Sequence, residues 1–207
     1  MPLEHHPGAA GADEAGRGPL AGPLVAAAVI LPEGFDLAGL DDSKRLDAPR
    51  REALEARIKA EARWAVEVVT AVEVDRLNPL RASLEAMGHA LARLSPERAF
   101  VDGNALPKGL AFPVEAVVKG DGKLACVAAA SILAKTERDR LLTALAQTYP
   151  EYGFDRHFGY GTPAHLAALR AHGPCPEHRR TYAPVRALLG EKREEEEKEQ
   201  GQGSFSL

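Results

Sequence analysis

The sequence predicts an α/β fold in which a β-sheet is layered by helices. Short apolar or β-branched runs of strand length recur along the chain, and longer segments carry apolar residues at helical spacing. Strands come first and then alternate with helices, an order typical of a sheet with helices packed on it. With 207 residues, the chain is long enough for one such domain and an appendage.

The first predicted elements are a buried strand and an amphipathic helix. Residues 24–31 form an apolar run without a polar face, ended by Pro32, as expected of a buried strand. A helix is predicted to begin at Asp47, which can serve as its N-cap and is followed by Pro49 in the first turn. Its buried side is marked by Leu54, Ile58 and Ala62.

A second strand and helix are predicted next. Residues 64–72 are rich in β-branched side chains and predict a strand. After Asn78 and Pro79, apolar residues at helical spacing predict a helix with a buried side formed by Leu80, Leu84, Met87, Leu91 and Leu94. Two further strands are predicted at residues 99–103 and 113–119, each closed by a glycine turn.

Helices dominate the C-terminal part of the prediction. A long Ala-rich helix is expected over residues 123–149, and shorter helices over 163–172 and 184–190. Residues 1–190 therefore form the predicted domain. Residues 191–207 begin with an acidic run and have almost no apolar side chains, so we expect a solvated helical extension that frays into a tail.

The composition excludes several classes of protein. With 45% hydrophobic and 27% charged residues the chain is not disordered as a whole, and no segment approaches the ~18 uninterrupted apolar residues of a membrane span. The first residues lack the basic and apolar regions of a signal peptide. Two cysteines are too few for a disulfide framework. We therefore expect a cytoplasmic protein that does not contact a membrane.

The net charge of −4 argues at first against a nucleic-acid partner, but the charge is uneven. Residues 191–199 hold six acids and three bases, which leaves residues 1–190 with a net charge of −1. Between residues 170 and 186, four arginines and two histidines stand against a single acid, Glu177. The whole-chain charge averages over this polarity and does not exclude nucleic acid.

Four acids stand at predicted strand ends or in the turns after them: Asp13, Glu14, Asp102 and Asp121. Ligands of open α/β sheets bind where strands end, and the glycines close behind these acids let a ligand approach the backbone. Gathered carboxylates repel one another unless a divalent cation compensates, and hard oxygen ligands suit Mg²⁺ or Mn²⁺. The alternative is that Asp and Gly here are ordinary turn residues. Because neighbours on a strand face opposite ways, we expect Asp13 or Glu14 to lie past the regular strand or to bind through its main chain.

Two other motifs could carry chemistry. Residues 16–21 formally match the dinucleotide pattern G-x-G-x-x-[GA], but no apolar strand precedes them and a strand follows; a backbone nest for a phosphate or sugar hydroxyl stays open. His172, Cys175 and His178, with His165 upstream, could form a zinc site, but Gly173 and Pro174 interrupt the ligands. We favour packing or surface histidines.

Seven stretches stand in the order and at the intervals of one known family. They are Asp13-Glu-Ala-Gly-Arg-Gly-Pro-Leu20, Asp42-Ser-Lys-Arg-Leu46, Val101-Asp-Gly-Asn104, Val118-Lys-Gly-Asp121, Ala128-Ala-Ala-Ser-Ile-Leu-Ala-Lys135 with Arg138-Asp139, His157-Phe-Gly-Tyr-Gly-Thr162 and His178-Arg-Arg-Thr-Tyr182. Together they resemble the bacterial type 2 ribonucleases H, the ribonuclease HII family. The resemblance implies a ribonuclease H-like fold, with a mixed sheet of five strands flanked by helices and a helical C-terminal part.

The resemblance also implies an active site. Asp13, Glu14, Asp102 and Asp121 match the metal-binding acids of the family. The implied reaction is endonucleolytic hydrolysis of RNA in RNA–DNA hybrids and incision at ribonucleotides embedded in duplex DNA, leaving a 5′-phosphate and a 3′-hydroxyl. Two Mg²⁺ or Mn²⁺ ions would serve as cofactors. No side-chain nucleophile is then required, and the chain has no G-x-S-x-G signature of one.

The family's substrate contacts can be carried over by position. Gly16, Arg17, Gly18 and Tyr160 match residues at the RNA–DNA junction: the glycine-loop amides would reach the 2′-hydroxyl, which distinguishes RNA from DNA, and the ring would stack on a deoxyribose. Positions near backbone phosphates are matched by Ser43, Lys44, Asn78 and Ser131. Arg179 and Arg180 either contact nucleic acid or pin the C-terminal segment.

Two alternative functions and one further partner stay open. A DNA nuclease of the same fold, such as a junction resolvase, would cut all-DNA substrates, and a non-catalytic hybrid-binding module would have no need of four acids.

We expect a monomer. Residues 202–207 loosely resemble the sliding-clamp-binding peptide Gln-x-x-apolar-x-Leu, although a glycine stands where an apolar residue is usual. Clamp docking through this tail is therefore a hypothesis, against an inert tail.

Overall fold

The computed structural model describes residues 3–41, 43 and 46–190, and in this part of the chain five strands form one mixed sheet. The strands are β1 (Ala10–Ala15), β2 (Leu24–Ile30), β3 (Arg63–Val69), β4 (Ala99–Asp102) and β5 (Val114–Val117). They lie in the order β3-β2-β1-β4-β5. The pairs β1–β2 and β2–β3 are antiparallel, whereas β1–β4 and β4–β5 are parallel. The structure confirms the predicted five-stranded mixed sheet.

Helices begin where the chain supplies a cap. Helix α1 (Ala48–Glu61) begins after Asp47, whose side chain accepts a hydrogen bond from the Arg50 N–H at 3.0 Å. Helix α2 (Ala71–Leu77) was not predicted: the strand expected over 64–72 ends at Val69, because Thr70 and Glu73 form a capping box. Helices α3 (Pro79–Leu94) and α4 (Ala125–Thr148) agree with the predicted segments.

Strand β2 joins the two layers of the core. It is buried along its whole length and alternates between the two faces of the sheet. Leu24, Ala26 and Ala28 belong to the apolar cluster that contains Met87 and Leu91 of α3. Val25, Ala27 and Val29 belong to the opposite cluster, which contains residues of α1 and α4 such as Ile58 and Leu133. The sheet is therefore covered by helices on both faces.

The predicted buried side of α3 is correct only in part. Met87, Leu91 and Leu94 are buried, but half of the Leu80 side chain is exposed. The helix instead faces the sheet with small residues, namely Ala82, Ala86 and Ala90. Because these small side chains meet the alanines of β1 and β2, helix and sheet approach each other closely.

The C-terminal part is helical, as predicted. It contains α5 (Phe154–His157), α6 (Pro163–His172) and a last helix, α7, over residues 183–190. A β-bridge between Ala21 and His178 joins this part to the connection between β1 and β2. Residues 191–207, the predicted tail, lie outside the described residues. None of the helices in the described ranges has the length and apolar character needed to cross a membrane.

Candidate active site

Three of the four predicted acids lie at one edge of the sheet. Strand β1 runs parallel to β4, and the last residue pair of their ladder is Ala12 with Val101. Asp13 and Asp102 directly follow this pair, so they lie on neighbouring strands at the same level. Asp121 lies in a 3-10 turn, Gly120–Gly122, a short distance beyond the end of β5. The carboxyl ends of parallel strands therefore gather these acids, as the sequence predicts.

The fourth acid, Glu14, contradicts one of two expected arrangements, that Asp13 or Glu14 lies past the regular strand, while binding through the main chain stays a prediction. Asp13 and Glu14 both lie inside β1, which continues to Ala15 and stays paired with β2 throughout. Neither residue lies past the regular strand, because β2 supports β1 beyond the point where β4 ends. The side chain of Glu14 forms an ion pair with Arg17, with 3.2 Å between Oε1 and Nε. Glu14 is thus turned toward the glycine loop that follows β1.

Backbone N–H groups hold the carboxylates at this edge. Asp13 Oδ1 accepts from the Glu14 N–H at 2.7 Å, and Asp102 Oδ1 accepts from the Gly120 N–H at 2.7 Å. Asp121 Oδ1 accepts from the Gly122 N–H at 2.9 Å. Such bonds favour the ionised carboxylate and restrict its orientation. Two of these three amide donors belong to glycines of the turn after β5, Gly120 and Gly122.

Asp13 is strongly perturbed by its surroundings. Only 5% of its surface is exposed, and burial raises its pKa well above the ordinary value. The neighbouring negative charges of Glu14 and Asp102 raise the pKa further, while hydrogen bonds from the Ser131 side chain and the Glu14 N–H act in the opposite direction. A buried carboxyl group beside like charges is the environment that a bound divalent cation relieves. The donor set therefore fits Mg²⁺ or Mn²⁺.

The carboxylates do not converge on a point as they stand. Among residues 3–41, 43 and 46–190, no group of three His, Cys, Asp or Glu side chains is close enough to hold a metal ion. Each carboxylate is instead turned to a local partner: Glu14 to Arg17, and Asp102 and Asp121 to backbone amides. From these positions the carboxylates would have to rotate before three of them could share one metal ion.

A groove of about 220 Å³ is lined by Glu14 and brings together most of the predicted substrate-binding residues. Its lining includes Gly16, Arg17, Gly18, Ser43, Ser131 and Tyr160. Ser43 and Ser131 are buried, and their hydroxyl oxygens lie 2.9 Å apart. The Tyr160 ring is 48% exposed and borders Gly18, where an added Cβ would lie 3.7 Å from its Cε1 atom. The glycine loop and the ring thus face each other across the groove.

Buried arginines fix the shape of the glycine loop. Arg138 on α4 donates to the carbonyls of Pro23, Phe158 and Ala21, at 2.9, 3.0 and 3.2 Å. Gly16 has φ of +102°, and a Cβ there would overlap the Arg138 side chain, so only glycine fits. Burial and the nearby Arg179 charge lower the pKa of Arg138 to about 10.

Arg179 is fully buried, whereas Arg180 is exposed. The Arg179 guanidinium donates to the carbonyls of Gly22 and Arg17 and to the Tyr182 hydroxyl. Of the two roles predicted for Arg179, the structure supports pinning, because the side chain presents no surface to nucleic acid. The backbone N–H of Arg180 donates to Asp75.

One other predicted residue, Asn78, is not brought to the groove. Asn78 caps α3, accepting from the Arg81 N–H at 3.0 Å, and lines a separate groove beside that helix. Lys44 lies outside the described residues. A residue that we did not single out, Lys135, lines the groove next to Ser131 and Arg138. The i, i+4, i+7 spacing of Ser131, Lys135 and Arg138 on α4 is the signal that could have identified Lys135.

Residues 16–21 do not form a dinucleotide site. Contrary to our expectation a strand does precede them, since β1 ends at Ala15, but the following element is strand β2. The helix N-terminus that would bind a pyrophosphate is therefore missing from this connection.

The histidines of the C-terminal part form a packed cluster. His165 Nε2 lies 3.0 Å from His178 Nε2, and His178 Nδ1 accepts from the Cys175 N–H at 3.0 Å. His172 is exposed on the surface of α6. The ring nitrogens of His165 and His178 are engaged by each other, by the Tyr160 carbonyl and by the Cys175 N–H, so the geometry favours the packing interpretation over a zinc site.

His178 predicts an acid-sensitive fold. Burial and His165 lower the pKa of His178 to about 4, from an ordinary value of 6.5. Between pH 6.5 and 4, His178 is protonated in the unfolded chain but neutral in the folded chain. Its contribution to the free energy of unfolding is therefore fully present above pH 6.5 and is lost as the pH drops toward 4. We expect this residue to contribute a loss of about 3 kcal/mol across that window. Urea unfolding of wild type and His178→Gln at several pH values measures it, and equal pH dependence in both proteins would contradict it.

Comparisons with known proteins show the family and agree with the fold. The family model of ribonuclease HII matches residues 10–185. A ribonuclease HII of Neisseria meningitidis serogroup C is 55% identical over 185 residues, which are 88% of this chain and 95% of that protein. The crystal structure of ribonuclease H2 from Pyrococcus horikoshii OT3 superposes with a TM-score of 0.75 at 32% identity, covering 89% of this chain and 98% of that one. A PCNA:RNase HII complex from Archaeoglobus fulgidus contains a chain with a TM-score of 0.71 at 31% identity, covering 84% of this chain and 94% of that one.

Proposed function

The chain belongs to the ribonuclease HII family and is therefore an endonuclease for the RNA strand of RNA–DNA hybrids, and from this premise we propose that it also incises duplex DNA at embedded ribonucleotides by a two-metal-ion mechanism. The proposal depends chiefly on one observation. Asp13 and Asp102 lie side by side on neighbouring strands, and Glu14, next to Asp13, lines a groove in which the glycine loop faces the Tyr160 ring. Hydrolytic groups and groups that can distinguish ribose from deoxyribose therefore share one surface.

Asp13, Glu14, Asp102 and Asp121 would hold the ions, Mg²⁺ or Mn²⁺. When bound, two such ions stabilise the attacking and leaving oxygens of an in-line displacement and lower the pKa of the attacking water. The chain's contribution is to fix its carboxylates through backbone amides and to keep Asp13 away from bulk water. The products would carry a 5′-phosphate and a 3′-hydroxyl.

The groove residues would orient the substrate. Backbone amides of Gly16, Arg17 and Gly18 are the donors for the 2′-hydroxyl, and the exposed Tyr160 ring offers a face to the neighbouring sugar. The Ser43 and Ser131 hydroxyls and the Lys135 ammonium are placed for backbone phosphates. Lys135 also pairs with Asp139 at 2.7 Å and lies over the Phe158 ring, which together hold its side chain at the groove.

The proposal is tested by product mapping on matched duplexes that contain zero, one or four ribonucleotides, with Mg²⁺ or Mn²⁺. We expect cleavage of the second and third duplexes at the ribonucleotides and none of the first. Cleavage of the all-DNA duplex would favour a DNA nuclease of this fold. Tight binding of hybrid without cleavage in either metal would favour a binding module.

A second proposal concerns a sliding clamp. The Archaeoglobus relative was solved in complex with PCNA, and residues 202–207 of this chain resemble a clamp-binding peptide. These residues lie outside the described part of the chain. We propose that they dock on the clamp, and we expect deletion of residues 200–207 to abolish binding to the clamp while cleavage of free duplexes is unchanged. Unaltered clamp binding after the deletion would dispose of the idea.

A further inference from the structure

A chain of hydrogen bonds runs from the C-terminal part to the loop that carries Tyr160. The Cys175 N–H lies 3.0 Å from His178 Nδ1, and His178 Nε2 lies 3.0 Å from His165 Nε2. His165 Nδ1 lies 2.9 Å from the Tyr160 carbonyl oxygen. We call His178 and His165 together the histidine relay.

The end groups of the relay fix where its protons lie. The Cys175 N–H can only donate, so His178 Nδ1 accepts and its proton must be on Nε2. His178 Nε2–H then donates to His165 Nε2, which leaves the His165 proton on Nδ1. His165 Nδ1–H finally donates to the Tyr160 carbonyl, which can only accept. Each bond is satisfied only if both rings are neutral and both tautomers are these.

The surroundings favour this neutral state. His165 is fully buried and only 2% of His178 is exposed, so water does not compete for the bonds. Burial lowers the pKa of both imidazoles. The His157 ring stacks on His165 with 4.4 Å between centroids, and its own nitrogens are engaged by the Tyr152 carbonyl and the Gly159 N–H. The relay is therefore held in a rigid aromatic cluster.

The relay connects Tyr160 with the segment that directly follows the glycine loop. Through its backbone, His178 forms the β-bridge with Ala21, and the adjacent Arg179 N–H donates to the Leu20 carbonyl at 2.8 Å. Through its side chain, the relay ends on Tyr160. The Tyr160 ring itself is half exposed, so core packing does not fix it, and its backbone must do so. The Tyr160 carbonyl accepts from the Thr162 N–H as well, at 2.8 Å.

We propose that His165 and His178 are positioning residues that hold the Tyr160 ring against the Gly16–Gly18 loop and thereby set the preference for a ribonucleotide next to deoxyribose. This inference rests on the function proposed above. The relay touches neither the acids nor the scissile group, so its loss changes substrate affinity and selectivity more than the chemical step.

The test is a double-mutant cycle on a duplex that contains one ribonucleotide. His165→Gln keeps a polar group near the Nε2 position but loses the donor at Nδ1, so we expect KM to rise about tenfold with kcat changed less than about twofold. His165→Asn returns an amide N–H to the Nδ1 position and should recover most of the lost affinity. In a Tyr160→Ala background, His165→Gln should have no further effect. His172→Gln, at an exposed position of the same helix, is the matched control.

Several outcomes separate this inference from the proposed function. If the effects of His165→Gln and Tyr160→Ala multiply, the relay does not act through Tyr160 and the inference fails while the function stands. If wild type cuts hybrids but never the single ribonucleotide, the proposed function fails and the inference falls with it. Should His165→Gln not fold, His178→Asn retains the acceptor for the Cys175 N–H and interrupts the relay one step earlier. The ¹⁵N NMR chemical shifts of the imidazole nitrogens report the tautomers directly. A charged ring or the opposite tautomer at His165 would contradict the proposed hydrogen-bond chain.

Discussion

Asp102→Asn is expected to reduce cleavage of a duplex containing one ribonucleotide by about a thousandfold or more and to leave the fold intact. Asp102 lies beside the buried Asp13 and is one of the four carboxylates that we propose hold the ions. The amide removes the negative charge that would balance a cation. It keeps the oxygen that accepts from the Gly120 N–H, so the turn after β5 has no reason to move.

Cleavage rates at saturating Mg²⁺ and Mn²⁺, measured together with urea unfolding, check this expectation. Glu115→Gln is a matched control, because it removes a carboxylate from the exposed face of the neighbouring strand β5. We expect that control to cut at the wild-type rate. If Asp102→Asn has unchanged stability and cuts near the wild-type rate, Asp102 is not a metal ligand, and the two-metal proposal is contradicted.

Most elements of the fold follow from local patterns, and the exceptions have identifiable causes. The apolar run of β2 and the cap of α1 predict those elements well, because both signals lie within a few neighbouring residues. Strand β1 carries no comparable pattern: it consists of alanine, glycine and acids, and it is a strand because β2 and β4 pair with it. Tertiary pairing overrides weak local propensity there. In α2 the reverse holds, since a local capping box overrides a β-branched run.

The placement of the candidate acids was predictable, because strand ends can be recognised in the sequence. Acids at strand ends are visible in the sequence, and parallel strands bring them to one edge. The partners of buried arginines are not visible in this way. Arg138 and Arg179 bind carbonyls of the 17–23 segment more than a hundred positions away, so only the folded chain shows that they shape the glycine loop. From the position of Arg179 in its motif alone, shaping the loop could not be distinguished from binding a phosphate.

Close packing between β1 and α4 explains why a glycine stands at the centre of the sheet. A Cβ at Gly11 would overlap backbone atoms of Cys126 and Val127, in the first turn of α4. Backbone atoms cannot rotate away as a flexible side chain does, so the helix itself would have to move. The same helix carries Ser131, which bonds Asp13, as well as Lys135 and Arg138 at the groove.

Gly11→Ala should therefore destabilise the protein by about 3 kcal/mol or more and impair cleavage in the fraction that still folds, although Gly11 contacts no substrate. Gly190→Ala is the comparison, because an added Cβ there meets no atom within 4 Å and alanine favours the helix. We expect Gly190→Ala to match or slightly exceed wild type in urea unfolding. Equal stability of both variants would mean that α4 can withdraw from β1 at little cost. In that case the separation between the acids of the sheet and the groove residues of the helix would not be set by Gly11.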